Sequence, residues 1–276
     1  MTLATLSDVL APAFRDGYAV AGLVCLGWED ARAYVAAAEA EGVPVILQAG
    51  PSCRAHTPLP VLAAMFRTLA EGASVPVVAH LDHGNDVAEC RAALDCGFTS
   101  VMFDGSRMPF ADNVAATAEV VRMAHAAGAS CEGEIGFVGY AGGEASLGTD
   151  PDEAARFAEG TGVDALAVSV GNVHLQRSAG AGLDEARLAA IGAATAVPLV
   201  IHGGSGVPAA QRTALARGTS VCKFNVGTEL RQVFGESLRA AVLRDPDRFD
   251  RVAILSETHA PVAEAARRVL AALKPA

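Results

Sequence analysis

The sequence predicts an α/β protein folded as a single (β/α)8, or TIM, barrel spanning residues 1–276. Three observations predict it. Strand-length apolar runs alternate with helical patterns from end to end, eight strand runs occur, and 276 residues is close to the usual size of this architecture. A doubly wound open sheet shares the alternation and is the alternative.

The strand runs are Tyr18–Leu26, Val43–Gln48, Val75–Leu81, Ser100–Phe103, Ala129–Ile135, Ala165–Val170, Pro198–Ile201 and Val221–Val226. Segments rich in Ala, Arg and Glu with helical spacing lie between them, among them Trp28–Glu41, Pro60–Glu71 and Asp86–Cys96. Gly42, Gly97, Gly128 and Gly162 stand where helices must stop before the next strand. The segment Phe137–Thr149 carries Gly139, Gly142, Gly143 and Gly148 and reads as a mobile loop, a candidate lid over a site.

Composition bounds the function. Apolar residues make up 51% of the chain, which argues against disorder, and no apolar run is long enough to span a bilayer. The first ten residues lack the basic and apolar regions of a secretory signal. The six cysteines include no CxxC pair and read as buried apolar residues in a reduced cytoplasm. A net charge of −10 disfavours nucleic acid as a partner. Only Lys223 and Lys274 are available to a Schiff-base mechanism.

In a barrel of this kind, residues at the C-terminal ends of strands face the active site. The chemistry of the chain collects there. The third strand ends in His80-Leu81-Asp82-His83-Gly84 and the fourth in Asp104-Gly105-Ser106. The fifth carries Glu132-Gly133-Glu134, and Gly171-Asn172-Val173-His174 follows the sixth. The last two end in His202-Gly203-Gly204-Ser205-Gly206 and Asn225-Val226-Gly227-Thr228-Glu229. Three imidazoles, His83, His174 and His202, can converge on one divalent cation while leaving positions open to substrate. Single histidines at a barrel mouth are often only polar lining, but three at strand ends are not the usual pattern. His80 lies a step deeper and reads as a hydrogen-bonding support. His56, His125 and His259 read as surface or packing residues.

Asp82 reads either as a helix cap or as an acid/base carboxylate beside the metal. Glu134 reads as a further ligand, a proton shuttle, or an ion-pair partner. The glycine-rich turn Gly203–Gly206, with Asn225, Gly227 and Thr228, offers N–H, amide and hydroxyl donors for a phosphate.

Taken together, these motifs, with Lys223-Phe224 before Asn225, resemble the class II, zinc-dependent fructose- and tagatose-bisphosphate aldolases from about Tyr18 to the C-terminal helix. The resemblance implies that His83, His174 and His202 bind a catalytic Zn²⁺ or another divalent metal. It implies Glu134 and Asp104 as alternative or second-metal ligands, and Asp82 as the group that handles the proton of the substrate C4 hydroxyl. It places the phosphate of dihydroxyacetone phosphate on Gly203, Ser205, Asn225 and Thr228. It also implies a monovalent cation near the phosphate and a homodimer or homotetramer. The implied reaction is reversible aldol cleavage of a ketose (bis)phosphate, with the metal's Lewis acidity stabilising the enediolate.

Departures from the family pattern fall on substrate recognition. Leu23-Val24 stands for Phe-Asn, Gly50 for a serine, and Leu175 for the glycine after the histidine of the sixth strand. Glu144 is the only glutamate in the Phe137–Thr149 loop and is displaced by about two positions from the family's acidic residues; it is the nearest candidate to return a proton to the enediolate. Three other readings stand beside this one: a Schiff-base aldolase using Lys223, a metal aldolase with a different donor or acceptor such as a deoxy or acid sugar phosphate, and a non-catalytic phosphosugar-binding descendant.

Overall fold

A computed structural model describes residues 2–178, 180 and 182–275. Eight parallel strands close into a barrel: β2 (Val20–Val24), β3 (Val45–Ala49), β4 (Val77–Gly84), β5 (Ser100–Phe103), β6 (Ser130–Ile135), β7 (Ala165–Val168), β8 (Leu199–Ile201) and β9 (Val221–Val226). Pairing of β2 with β9 closes the ring, so the open-sheet alternative is set aside. These are the eight strands expected from the apolar runs. The N-terminal segment adds what periodicity did not reveal, a two-residue strand β1 (Leu3–Ala4) beside β4 and a helix α1 (Leu6–Asp16).

Helix α1 begins at a capping box, Thr5 and Asp8 exchanging side-chain and backbone hydrogen bonds, and stops at Gly17 in the left-handed conformation. Its buried face, Leu6, Val9, Leu10 and Ala13, packs against Val20, Ile46, Val78, Met102, Ala165, Val200 and Cys222. Those are the barrel's inward residues near the N-terminal ends of its strands, so α1 plugs that end. A second apolar layer lies between the strands and the outer helices.

The outer helices include α2 (Trp28–Glu41), α4 (Leu59–Gly72), α5 (Val87–Cys96), α6 (Phe110–Ala126), α7 (Pro151–Thr161), α8 (Glu185–Ala194), α9 (Ala209–Gly218), α10 (Thr228–Arg244) and α12 (His259–Leu273). Short α3 (Pro51–His56) follows β3, and α11 (Arg251–Ser256) precedes α12. Gly42, Gly97 and Gly162 are left-handed helix stops, as their spacing indicates. All six cysteines are free and five are buried.

Two irregularities shape the open end. Between Leu81 and Gly84 the register of β4 against β5 slips, and His83 takes a φ of 51°. The extra residue forms a bulge that turns the neighbouring side chains of Asp82 and His83 toward the same cavity, where a regular strand would send them to opposite faces. The bulge frees carbonyls, and Arg54 of α3 takes them: its Nη1 donates to Asp82 O at 2.6 Å and its Nη2 to His83 O at 2.9 Å. Glu89 holds the guanidinium from behind, 2.8 Å from Nε. In the other irregularity, the expected lid is pinned. Phe137 and Leu147 exchange backbone hydrogen bonds of 2.8 Å, and Ser146 Oγ donates to Asn172 O at 3.0 Å.

Candidate active site

A cavity of about 370 Å³ opens at the C-terminal end of the barrel. Its lining includes Asp82, His83, His174, Gly203, Ser205, Asn225, Gly227 and Thr228, so most of the residues singled out from the strand ends share one space. Buried His202 and Glu134 lie beside it, within reach of His83.

The donor set fits a divalent cation. Ligand atoms of His83, His174 and His202 all lie within 4.8 Å of one another, and His83, Asp104 and Glu134 form a second such group. His202 is fully buried, and burial first, then the positive charge of His83, pushes its pKa well down, so it is neutral. Its Nε2–H donates to Glu132 Oε1 at 3.0 Å, because a carboxylate can only accept. That leaves the Nδ1 lone pair aimed at Glu134 Oε2, 3.3 Å away, and neither atom has a hydrogen-bond partner. Two buried acceptors facing each other require a cation or a proton between them. His83 repeats the arrangement: Nδ1 is held by Asp104 Oδ2 at 2.7 Å and Nε2 is left without a partner.

The electrostatics favour positive charge. Burial lowers the His83 pKa, but the charge of Asp82, the hydrogen bond to Asp104 and the charge of Glu134 outweigh it and raise it to about 10. Burial, followed by the positive charge of His83, lowers His174 to about 3. Glu134 is pushed up by burial and by Asp104.

Asp82 is oriented from one side. Its Oδ1 accepts from Gln48 Nε2 at 2.9 Å and from Asn225 Nδ2 at 3.1 Å. Among the described residues no hydrogen bond reaches Oδ2, which faces Gly50; a Cβ placed there would lie 3.5 Å from it. Asn225, read from sequence as a phosphate donor, thus gives one of its two amide N–H groups to Asp82. At the glycine-rich turn, Gly203 has a φ of 66°, and a Cβ there would come within 2.2 Å of Val173 O, so only glycine fits. Ser205 Oγ accepts from the N–H groups of Gly227 and Glu229 at 3.2 and 3.3 Å, which leaves its own proton free for an anion.

The remaining sequence candidates lie elsewhere. Glu144 is outside the cavity lining, its side chain 57% exposed and 2.6 Å from Arg107. His80 is wholly buried under the cavity, its Nδ1 2.8 Å from Ser100 Oγ. Lys223 Nζ is also wholly buried, 2.6 Å from Glu132 Oε2, and Lys274 pairs with Glu41 on the far side. Neither lysine lines the cavity, which removes the geometric basis of the Schiff-base reading. Sequence reasoning named Glu132 without giving it a role, and missed Tyr140 and Arg54. The period of two from Glu134 could have placed Glu132 inside the barrel as well. Nothing local marks Arg54, whose role exists only because β4 bulges.

The comparisons agree with this geometry. The chain matches the family described as fructose-bisphosphate aldolase class-II over residues 4–276. It is 39% identical over 258 residues to a fructose-bisphosphate aldolase of Geobacillus stearothermophilus, covering 91% of this chain and 89% of that one. It is 38% identical over 266 residues to a 6-phospho-5-dehydro-2-deoxy-D-gluconate aldolase of Shouchella clausii, covering 93% and 89%. Among solved structures, the YdjI aldolase of Escherichia coli K12 superposes with a TM-score of 0.85 at 31% identity, covering 99% of this chain and 98% of that one. The chain belongs to the class II fructose-bisphosphate aldolase family, a family of metal-dependent lyases.

Proposed function

We propose that this protein is a zinc-dependent aldolase that reversibly cleaves a phosphorylated ketose into dihydroxyacetone phosphate and an aldehyde. The observation that carries the reading is the set of unpartnered ligand atoms, His83 Nε2 and His202 Nδ1, in one cluster with His174 and beside a carboxylate with a free oxygen. His83, His174 and His202 would hold the cation, with Glu134 and Asp104 available to an alternative position. When bound, the cation supplies Lewis acidity for the negative charge that develops as the C3–C4 bond breaks.

The chain's own residues do the rest. Asp82 Oδ2 takes the proton of the C4 hydroxyl while Gln48 and Asn225 hold the carboxylate still. Ser205, Gly203, Gly227 and Thr228 bind the phosphate, and a monovalent cation near that turn is part of the same reading. Leu175 adopts a φ of 60° at the cavity mouth, so the backbone turn of the family's glycine is kept although a side chain has been added. The expected setting is the cytoplasm, with one domain over residues 1–276 and a homodimer or homotetramer as the assembly; among the described residues no helix is long and apolar enough to cross a membrane.

A second reading changes only the acceptor. Val24 and Gly50 replace polar residues on the wall next to Asp82, and a relative of 38% identity is named for a deoxy-gluconate phosphate. An aldehyde carrying an acid group is the alternative to a sugar phosphate.

Hydrogen exchange at C3 of dihydroxyacetone phosphate in D₂O tests the donor half without the acceptor. Exchange by zinc-loaded protein that stops with a chelator is the expected result. Absence of exchange in fully loaded protein would falsify the donor assignment.

A further inference from the structure

The loop that should bring an acid to the donor carbon turns its glutamate away. Glu144 points to solvent and pairs with Arg107. The loop side chain that does enter the cavity is Tyr140, which lines it with Asp82, His83 and His174. Its ring is stacked on His174, with centroids 5.0 Å apart and planes at 27°.

The backbone fixes this placement. Ala141 N–H donates to His174 O at 2.9 Å, and His174 N–H donates to Gly139 O at 2.8 Å, so Tyr140 is held between two hydrogen bonds to the His174 residue itself. A tight turn completes the anchor: Gly143 N–H donates to Tyr140 O at 2.9 Å, and Gly142 supplies the φ of 75° that the turn needs. Among the described residues no side chain or backbone group hydrogen-bonds to the Tyr140 hydroxyl. The residue is 43% exposed, so water can reach it.

We propose that Tyr140 is the proton donor to the carbon that loses the aldehyde, in the position the family fills with a loop carboxylate. The proposal rests on the aldolase reading above. In the cleavage direction the C3–C4 bond breaks and its electron pair stays with the C2–C3 unit. The Tyr140 O–H bond then breaks, its proton forms the new C3–H bond, and the electron pair remains on the phenolate oxygen. Solvent water returns a proton to the phenolate, and Asp82 releases to solvent the proton it took from the C4 hydroxyl. No oxidant or reductant is needed. In the synthetic direction the phenolate removes the same C3 proton.

The test uses full-length, zinc-loaded protein and dihydroxyacetone phosphate in D₂O. Tyr140→Phe keeps the ring on His174 and removes only the hydroxyl. The expected result is a fall of about 100-fold or more in C3 exchange, with zinc content and dihydroxyacetone phosphate affinity within about twofold of the parent. Exchange that survives in Tyr140→Phe but is lost in Glu144→Gln would assign the step to Glu144 and overturn the proposal. A parallel loss of zinc and exchange in Tyr140→Phe would make the tyrosine a structural support, which also overturns it. A silent parent enzyme sinks the dihydroxyacetone phosphate donor on which the proposal rests, whereas an active parent with an equally active Tyr140→Phe sinks only the assignment of Tyr140.

Discussion

His202 depends on atoms it shares with no substrate. Its Nε2–H is fixed by Glu132, whose other oxygen is held by Lys223 at 2.6 Å, and all three side chains are fully buried. This chain sets the tautomer that leaves Nδ1 free for a cation. Lys223→Met should strand a buried carboxylate and cost about 3–5 kcal/mol of stability, read by urea denaturation. The double variant Lys223→Met/Glu132→Gln should recover most of that stability while binding zinc about 10–100-fold more weakly, measured by chelator competition. Unchanged zinc affinity in the double variant would reduce the pair to packing. His83, His174 and His202 could be picked out of the sequence because strand ends mark where a barrel does chemistry. Lys223 could not be understood there, because its meaning comes from Glu132 across the barrel interior.

At the scale of an element, β4 delivers two adjacent functional side chains by breaking its own regularity. The apolar run Val75–Leu81 predicts a strand that stops short of both residues. The strand instead continues to Gly84, and the bulge does the work, stabilised by Arg54 of α3. Helix α3 is too short to stand out in a periodicity reading, and its value lies in that single arginine. Arg54→Ala should lower the rate of ketose phosphate cleavage well beyond its effect on zinc content, because it loosens Asp82 and leaves the carbonyls of Asp82 and His83 without their donor. Each buried orphan of that kind costs about 1–3 kcal/mol, so a lower denaturation midpoint should accompany the lost cleavage. An Arg54→Ala protein with parental cleavage would show that the bulge holds without its clamp. The loop Phe137–Thr149 differs from expectation for a similar reason: its glycines form tight turns and close backbone approaches, as at Gly139, where a Cβ would come within 2.2 Å of Glu144 O.

For the whole molecule, the cation and the fold are linked. In the metal-free protein the His83 pKa is raised from 6.5 to about 10, so its proton contributes stability that is fully present below 6.5 and is lost as the pH rises through about 10. A metal held by His83 would have to displace that proton. Zinc uptake near neutral pH should therefore release protons to the solvent, and zinc affinity should rise with pH up to about 10. Zinc at about 100 times its Kd should add about 2.7 kcal/mol to the unfolding free energy, a gain a chelator removes. A thermal midpoint that ignores chelator, or uptake with no acidification of weakly buffered protein, would contradict this linkage. The eight-strand barrel was legible because its apolar runs are regular, while α1 was not, since its role appears only once a barrel end exists to be filled.

That plug gives the reaction its traffic pattern. With Leu6, Val9, Leu10 and Ala13 packed into the N-terminal end, the cavity at the other end is the doorway to the candidate site. Both fragments would then leave by the route the ketose used to enter. On the proposed reading, the piece held by phosphate and cation would leave second, so turnover would become a queue, and accumulated dihydroxyacetone phosphate would block the entrance to the next ketose.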